Sequence, residues 1–358
     1  MSNEIFFTPG PAQTFYSYEQ HLKNALKLNI PSISHRSKEF QQIFAETVEN
    51  LKSLLGIPDE YHIFFTASAT EVWERIIQNL VIDSSHHFVN GSFSSRFHDI
   101  AKAYQLNPTE TKSDFGGSFD LQVPKSAELI AVTQNETSIG YNFPLEEIKQ
   151  IVDEKSDDSL VAVDVVSCAP AVALDYSSVD TAYFSVQKSF GLPAGLGVWI
   201  MNDKCIEKAS KKEADGHVTG SYHSTRQLKK YAEKNQTPET PNVLGIYLLG
   251  KIAQDMLYRG VKQIQNDTLY KAAILYQTMD ELDWIEPFIA KNKYRSKTFA
   301  VGRLKDRKAS EIIRIMKEKK MIIGSGYGPF KEEHVRIASF PTHSKEQMEL
   351  FVDTFKTI

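Results

Sequence analysis

Cysteine is nearly absent from these 358 residues: Cys168 and Cys205 are the two present, and no CxxC spacing occurs. That argues against a disulfide framework or a zinc site and suits a reducing compartment. A surplus of one charge is missing too. Lys and Arg number 41 against 45 Asp and Glu, a formal net charge of -4, which draws in neither nucleic acid nor an anionic membrane surface. Long apolar runs are also lacking. Residues 192–201 are interrupted by Pro193, Gly195 and Gly197, well short of the ~18 apolar residues that a membrane span requires. The opening Met1-Ser2-Asn3-Glu4 has no basic-then-apolar order of a secretory signal. The expectation is a soluble cytoplasmic protein whose partners are small molecules. No Walker sequence and no Gly-x-Ser-x-Gly elbow is present.

What is there is an ordinary globular composition, 41% hydrophobic and 24% charged, in a chain long enough to divide into two domains. Phe40, Ile43, Phe44, Val48, Leu51 and Leu55 recur at helical spacing and stop at Gly56. Short β-rich runs over 61–66, 87–90, 129–133, 160–165, 181–185 and 197–201 then alternate with helical patterns near 70–80 and 94–104. Such alternation predicts βαβ units and a mainly parallel sheet, with ligands at the carboxyl ends of its strands. Beyond Pro241 the pattern changes. Two long helices over 243–258 and 261–282 precede strands near 298–302 and 335–339, a helix near 309–319, and a last helix opened by the Ser344/Gln347 capping box. This tail reads as a smaller α+β domain.

The stretch TAYFSVQKSFGLPAGLGVWI, residues 181–200, carries the most chemistry. A strand ending in Gln187-Lys188 places an amine where α/β proteins keep their ligands, and the following glycines let a flat molecule approach the backbone. Lysine forms a Schiff base once desolvation or neighbouring cations deprotonate it. A solvated loop lysine is the alternative. Against it stands the neighbouring run Leu160-Val161-Ala162-Val163-Asp164, whose terminal carboxylate would be costly to bury without a partner such as a protonated pyridine nitrogen. Upstream, residues 64–71 pass from strand through Ala67-Ser68-Ala69-Thr70 into a helix, whose N-terminal amides and Ser68 and Thr70 hydroxyls suit a phosphate.

These segments resemble the class V aminotransferases of the aspartate-aminotransferase-like fold, and most closely the phosphoserine aminotransferase family. The markers are Pro9-Gly10-Pro11-Ala12, residues 34–40 (Ser-His-Arg-Ser-Lys-Glu-Phe), Asn135-Glu136-Thr137, Asp164, Gln187-Lys188, Pro193-Ala194-Gly195 and Val335-Arg336-Ile337-Ala338. The resemblance implies an α/β large domain (15–255) with a seven-stranded sheet, a small α+β domain (256–358), and an N-terminal segment (1–14) packed on the latter. It implies pyridoxal 5'-phosphate as cofactor, Lys188 as its Schiff-base lysine and Asp164 as the partner of its ring nitrogen. Thr137 would meet the phenolic oxygen and Phe93 would stack on the ring. Ala69, Thr70 and Gln187 would hold the phosphate, joined by Thr240 from a second subunit. Arg336 would bind the substrate α-carboxylate, a bidentate task suited to guanidinium; a salt bridge at a strand end is its alternative. His35 and Arg36, again from the second subunit, would meet the substrate's own phosphate. The implied protein is a homodimeric transaminase acting on phosphoserine and 2-oxoglutarate in serine biosynthesis.

The chain departs from that pattern in three places. Thr70 stands where the family has an arginine, a histidine expected shortly before Arg336 is missing around Tyr327, and Glu239 replaces an asparagine before Thr240. A class V aminotransferase of an unphosphorylated amino acid such as serine or alanine, with glyoxylate or pyruvate, therefore stays open, as does a non-catalytic cofactor-binding protein. A desulfurase is disfavoured because no cysteine follows Cys205. Gly324, Gly326 and Gly328 read as a flexible loop rather than a dinucleotide motif. Adjacent His86 and His87 point to opposite faces of a strand, so no metal is assigned to them.

Overall fold

The computed structural model describes residues 4–358; Met1, Ser2 and Asn3, on which the leader reading and the start of the 1–14 segment fall, lie outside the described residues. The first strand is β1 (Ile5–Phe7). The large sheet is built from β2 (His62–Thr66), β3 (Ser85–Val89), β4 (Thr109–Lys112), β5 (Leu129–Thr133), β8 (Leu160–Asp164), β9 (Thr181–Ser185) and β10 (Gly197–Met201); β6 (Asn135–Glu136) and β7 (Tyr141–Asn142) form a separate hairpin. Its order is β2-β10-β9-β8-β5-β3-β4, and β10 alone runs against its neighbours. The expected mainly parallel sheet of an aspartate-aminotransferase-like α/β fold is therefore observed.

The central strands are buried on both faces, which explains their unbroken apolar sequence. Alternation still sorts their side chains. Ile130, Val132, Val161 and Val163 face the core made with the helix Lys38–Leu55, whereas Leu129, Ala131, Leu160 and Ala162 face the core made with the helices Ala69–Leu80 and Ser92–Ala103.

A second sheet takes β11 (Ile285–Pro287), β12 (Phe299–Leu304), β13 (Met321–Ser325) and β14 (His334–Ala338), in the order β1-β13-β14-β12-β11. Its face is covered by Ala272, Leu275 and Met279 of the helix Val261–Glu281 and by Met348, Phe351 and Phe355 of the last helix. The N-terminal β1 is an edge strand of this sheet, parallel to β13. Two readings need correction. The glycines at 324–328 are not simply a loop: Gly324 lies in β13 opposite Arg336, where a Cβ would stand 2.8 Å from Pro9 Cδ, so the tight contact selects glycine. And the strand before Lys188 ends at Ser185, because the backbone then turns to let Val186 N bond Leu196 O. No helix among the described residues is long and apolar enough to cross a membrane.

Candidate active site

Parallel strands bring Thr133 at the end of β5 beside Asp164 at the end of β8, and β9 pairs with the other edge of β8. Above these ends lies a cavity of about 240 Å³. Lys188, Asp164, Thr137, Phe93, Ala69, Thr70, Gln187 and Arg336 all line it, so residues scattered over about three quarters of the chain are brought together as the sequence suggested.

Lys188 is 9% exposed; its Nζ donates to Thr137 Oγ1 at 3.2 Å and lies 5.1 Å from the centre of the Phe93 ring. Gly10 packs on the lysine stem with φ +128°, and a Cβ there would sit 3.2 Å from Lys188 Cγ. Burial pushes the amine down to about 8, with the nearby Asp164 and Glu136 carboxylates opposing. Asp164 is pushed up to about 7 by complete burial, held from rising further by the Val166 amide and Lys188. That amide donates to Oδ1 at 2.9 Å. A carboxylate so enclosed calls for a cation.

At the other end of the cavity the helix Ala69–Leu80 points its N-terminus inward. The Ser68 hydroxyl, read above as part of the anion site, instead caps the helix by accepting from Glu71 N at 3.1 Å, the ordinary use of serine at this position. Its place is taken by Ser185, a cavity residue not foreseen, whose Oγ accepts from Ala69 N at 2.7 Å.

Phe93 is placed by Glu136, another residue with no role assigned from sequence. Glu136 is 0% exposed and takes five hydrogen bonds: from Phe93 N (3.1 Å), Ser94 N (2.9 Å), Ser94 Oγ (3.1 Å), Ser138 N (3.1 Å) and Ser138 Oγ (2.6 Å). Gly91 makes room for it, since a Cβ there would lie 2.4 Å from Glu136 Cγ. Opposite Phe93, the tilted Tyr327 ring lies 5.7 Å away and stands 5.3 Å from Arg336 Cζ. Arg336 Nε donates to Ser325 O at 2.6 Å, and no carboxylate pairs with it among the described residues. Trp73, also in the wall, donates from Nε1 to Tyr183 Oη at 2.8 Å.

His35, Arg36 and Thr240 do not reach this cavity. Arg36 clamps a neighbouring segment, donating to Gln236 Oε1 (2.8 Å), Thr237 O (2.8 Å) and Pro238 O (3.0 Å) while stacking on Tyr231. Thr240 is exposed at the end of that segment, and His35 lies close enough to Arg36 and Glu239 to feel both charges. The three thus gather on one surface patch. His86 bonds Thr109 and Thr111 hydroxyls, and His87 bonds Ser85.

Pyridoxal 5'-phosphate passes the test that these residues set. An enclosed carboxylate at one end would pair a protonated ring nitrogen, a lysine with a lowered pKa stands between, and a helix N-terminus at the other end suits a phosphate. The comparisons with known proteins agree. The model of the class-V aminotransferase family matches residues 7–329. A phosphoserine aminotransferase of Rhodococcus opacus is 25% identical over 320 residues, 88% of this chain and 84% of the relative. A putative phosphoserine aminotransferase of Mycolicibacterium paratuberculosis is 28% identical over 86% of this chain and 82% of its own. A crystal structure of a phosphoserine aminotransferase from Cytophaga hutchinsonii superposes with a TM-score of 0.97 at 43% identity, covering 100% of this chain and 99% of that one. Fold, cavity chemistry and sequence likeness over nearly the whole length lead to one place: the chain belongs to the class-V aminotransferases.

Proposed function

We propose that this aminotransferase acts on phosphoserine and 2-oxoglutarate as a cytoplasmic homodimer. The observation that carries the catalytic part is the convergence of Lys188, Asp164 and Arg336 on one cavity. Lys188, Thr137, Phe93, Asp164, Ala69, Thr70 and Gln187 would hold pyridoxal phosphate. When bound, that group supplies an aldehyde for amines and an electron-withdrawing ring. Lys188, with its proton affinity lowered by burial, moves the proton at the substrate α-carbon, and Asp164 keeps the ring cationic. Arg336 orients the α-carboxylate through its terminal nitrogens. The phosphoserine preference is supported by the names of the relatives and by His35 and Arg36. The dimer is supported by the outward patch that joins those two residues to Thr240. We infer the division 1–14, 15–255 and 256–358 from the two sheets, and a reducing location from two free, buried cysteines.

Borohydride treatment of the holoenzyme should fix the cofactor to the peptide containing Lys188; an adduct on another lysine overturns the assignment. For the substrate, kcat/KM is compared for phosphoserine, serine, alanine and aspartate with 2-oxoglutarate. Phosphoserine should lead, by a margin blunted by Thr70. Serine or alanine ahead of phosphoserine would leave the class-V reading and remove the phosphoserine one. Inactive Lys188→Ala and Arg36→Ala subunits should regain activity on mixing, and a mixture as inactive as its components refutes shared sites.

A further inference from the structure

Behind the phosphate-binding turn lies a charge cluster that the chemistry above does not use. Glu71 follows Thr70 in the first turn of the helix Ala69–Leu80. Its Oε2 accepts from Ala67 N at 2.8 Å, pinning the turn from behind, and its Oε1 bonds Nδ1 of His223. Arg75 Nε approaches the same oxygen at 3.5 Å. His223 is 4% exposed, and its other nitrogen faces Glu239 Oε2 at 3.4 Å, a charge pair without hydrogen-bond geometry. Glu239 directly precedes Thr240, in the segment whose carbonyls Arg36 clamps. One buried ring therefore spans from the turn at this chain's own cavity to the segment proposed to enter the partner's.

The charges show what the ring does there. A carboxylate one residue past Thr70 would repel a dianionic phosphate at the helix N-terminus, where anions otherwise gain. Burial alone would lower the His223 pKa, but Glu239 and Glu71 outweigh it and raise it to about 9. The ring is thus a cation at neutral pH, facing Glu71 and Arg75 from the helix and Glu239 from the segment, with the tilted Tyr222 ring at 4.1 Å and His35 and Arg36 beyond Glu239.

We propose that His223, bridging Glu71 and Glu239, is a positioning residue that sets how tightly the cofactor's phosphate is held. The inference rests on the pyridoxal phosphate reading. The test uses full-length protein freed of cofactor, and measures dissociation constants for pyridoxal 5'-phosphate and for pyridoxal, which lacks the phosphate. His223→Gln should weaken the first by at least about tenfold, as expected for uncompensated charge near an anion, and leave the second unchanged. In the wild type the ratio of the two affinities should fall as pH rises through about 9, and in His223→Gln it should stay low and flat. Lys188 titrates for both ligands and so cancels from the ratio. Equal weakening of both ligands, or no change in either, overturns the proposal. If His223→Gln does not fold, Glu239→Gln, at a side chain 30% exposed, decides: it should move the fall of the ratio to lower pH, and an unmoved profile overturns the idea. A wild type that binds neither ligand at Lys188 would instead remove the underlying cofactor reading.

Discussion

Replacing Glu136 by Gln changes one oxygen to an amide, yet the geometry makes this a severe substitution. Oε2 receives two backbone amides, Phe93 N and Ser94 N, plus the Ser94 hydroxyl; Oε1 receives Ser138 N and its hydroxyl. The amide nitrogen is least harmful on the Ser138 side, where the hydroxyl can rotate to accept, but Ser138 N then meets a donor. Bonds to a charged acceptor contribute about 1.5–3 kcal/mol each, and the surviving bonds lose their charge assistance, so roughly 2–4 kcal/mol should be lost. Part of this is offset because a buried charge disappears. Denaturant unfolding of cofactor-free protein reads the stability. Fluorescence titration with the cofactor reads the loosened Phe93 turn, with affinity expected to drop about tenfold or more. Removing this carboxylate also lowers the Lys188 pKa further, since Glu136 helps to raise it. A variant that unfolds and binds cofactor like the wild type would refute the claim that Glu136 fixes the turn.

Asp164→Asn should still bind cofactor but lose nearly all turnover, and it should shift the pH at which Lys188 takes up the aldehyde to below about 8, because Asp164 opposes the burial effect; stopped-flow absorbance across pH checks this, and an upward shift contradicts it. Gly91→Ala should cost stability and cofactor affinity together, since its Cβ meets Glu136 at 2.4 Å, and wild-type behaviour in both assays would contradict the packing argument. Arg36→Ala should lower cofactor affinity as well as phosphoserine preference, because Arg36 holds the 236–238 segment ahead of Thr240; a variant with unchanged cofactor binding would confine Arg36 to the substrate.

Legibility of the sequence followed the range of the contacts. Asp164 stands out because a charge ends the apolar run Leu160–Val163, and Lys188 because it lies between a strand and a glycine-rich loop. Glu136 gave no such sign. Its partners Phe93 and Ser94 lie 43 and 42 residues away, and only the packing of β6 against the start of the helix Ser92–Ala103 unites them. Ser185 and Ser68 exchanged roles for a similar reason: capping is local and was open to prediction, but which hydroxyl meets the Ala69 amide depends on β9 lying against the helix start. His223 looked like any loop histidine, since neither Glu71 nor Glu239 is near it in sequence.

The pairing of Ile5 with Met321 has a consequence for how the chain comes together. β1 has no place to pair until β13 has been made, so the small sheet cannot close at that edge before then. Ala12 and Phe15, a few residues on, bond Gln187 and Gly191 beside Lys188. Contacts between such distant parts form late, because loop closure costs entropy before pairing rewards it. The β1 segment is thus a late seam, and shaping of the surroundings of Lys188 belongs to a late stage of folding.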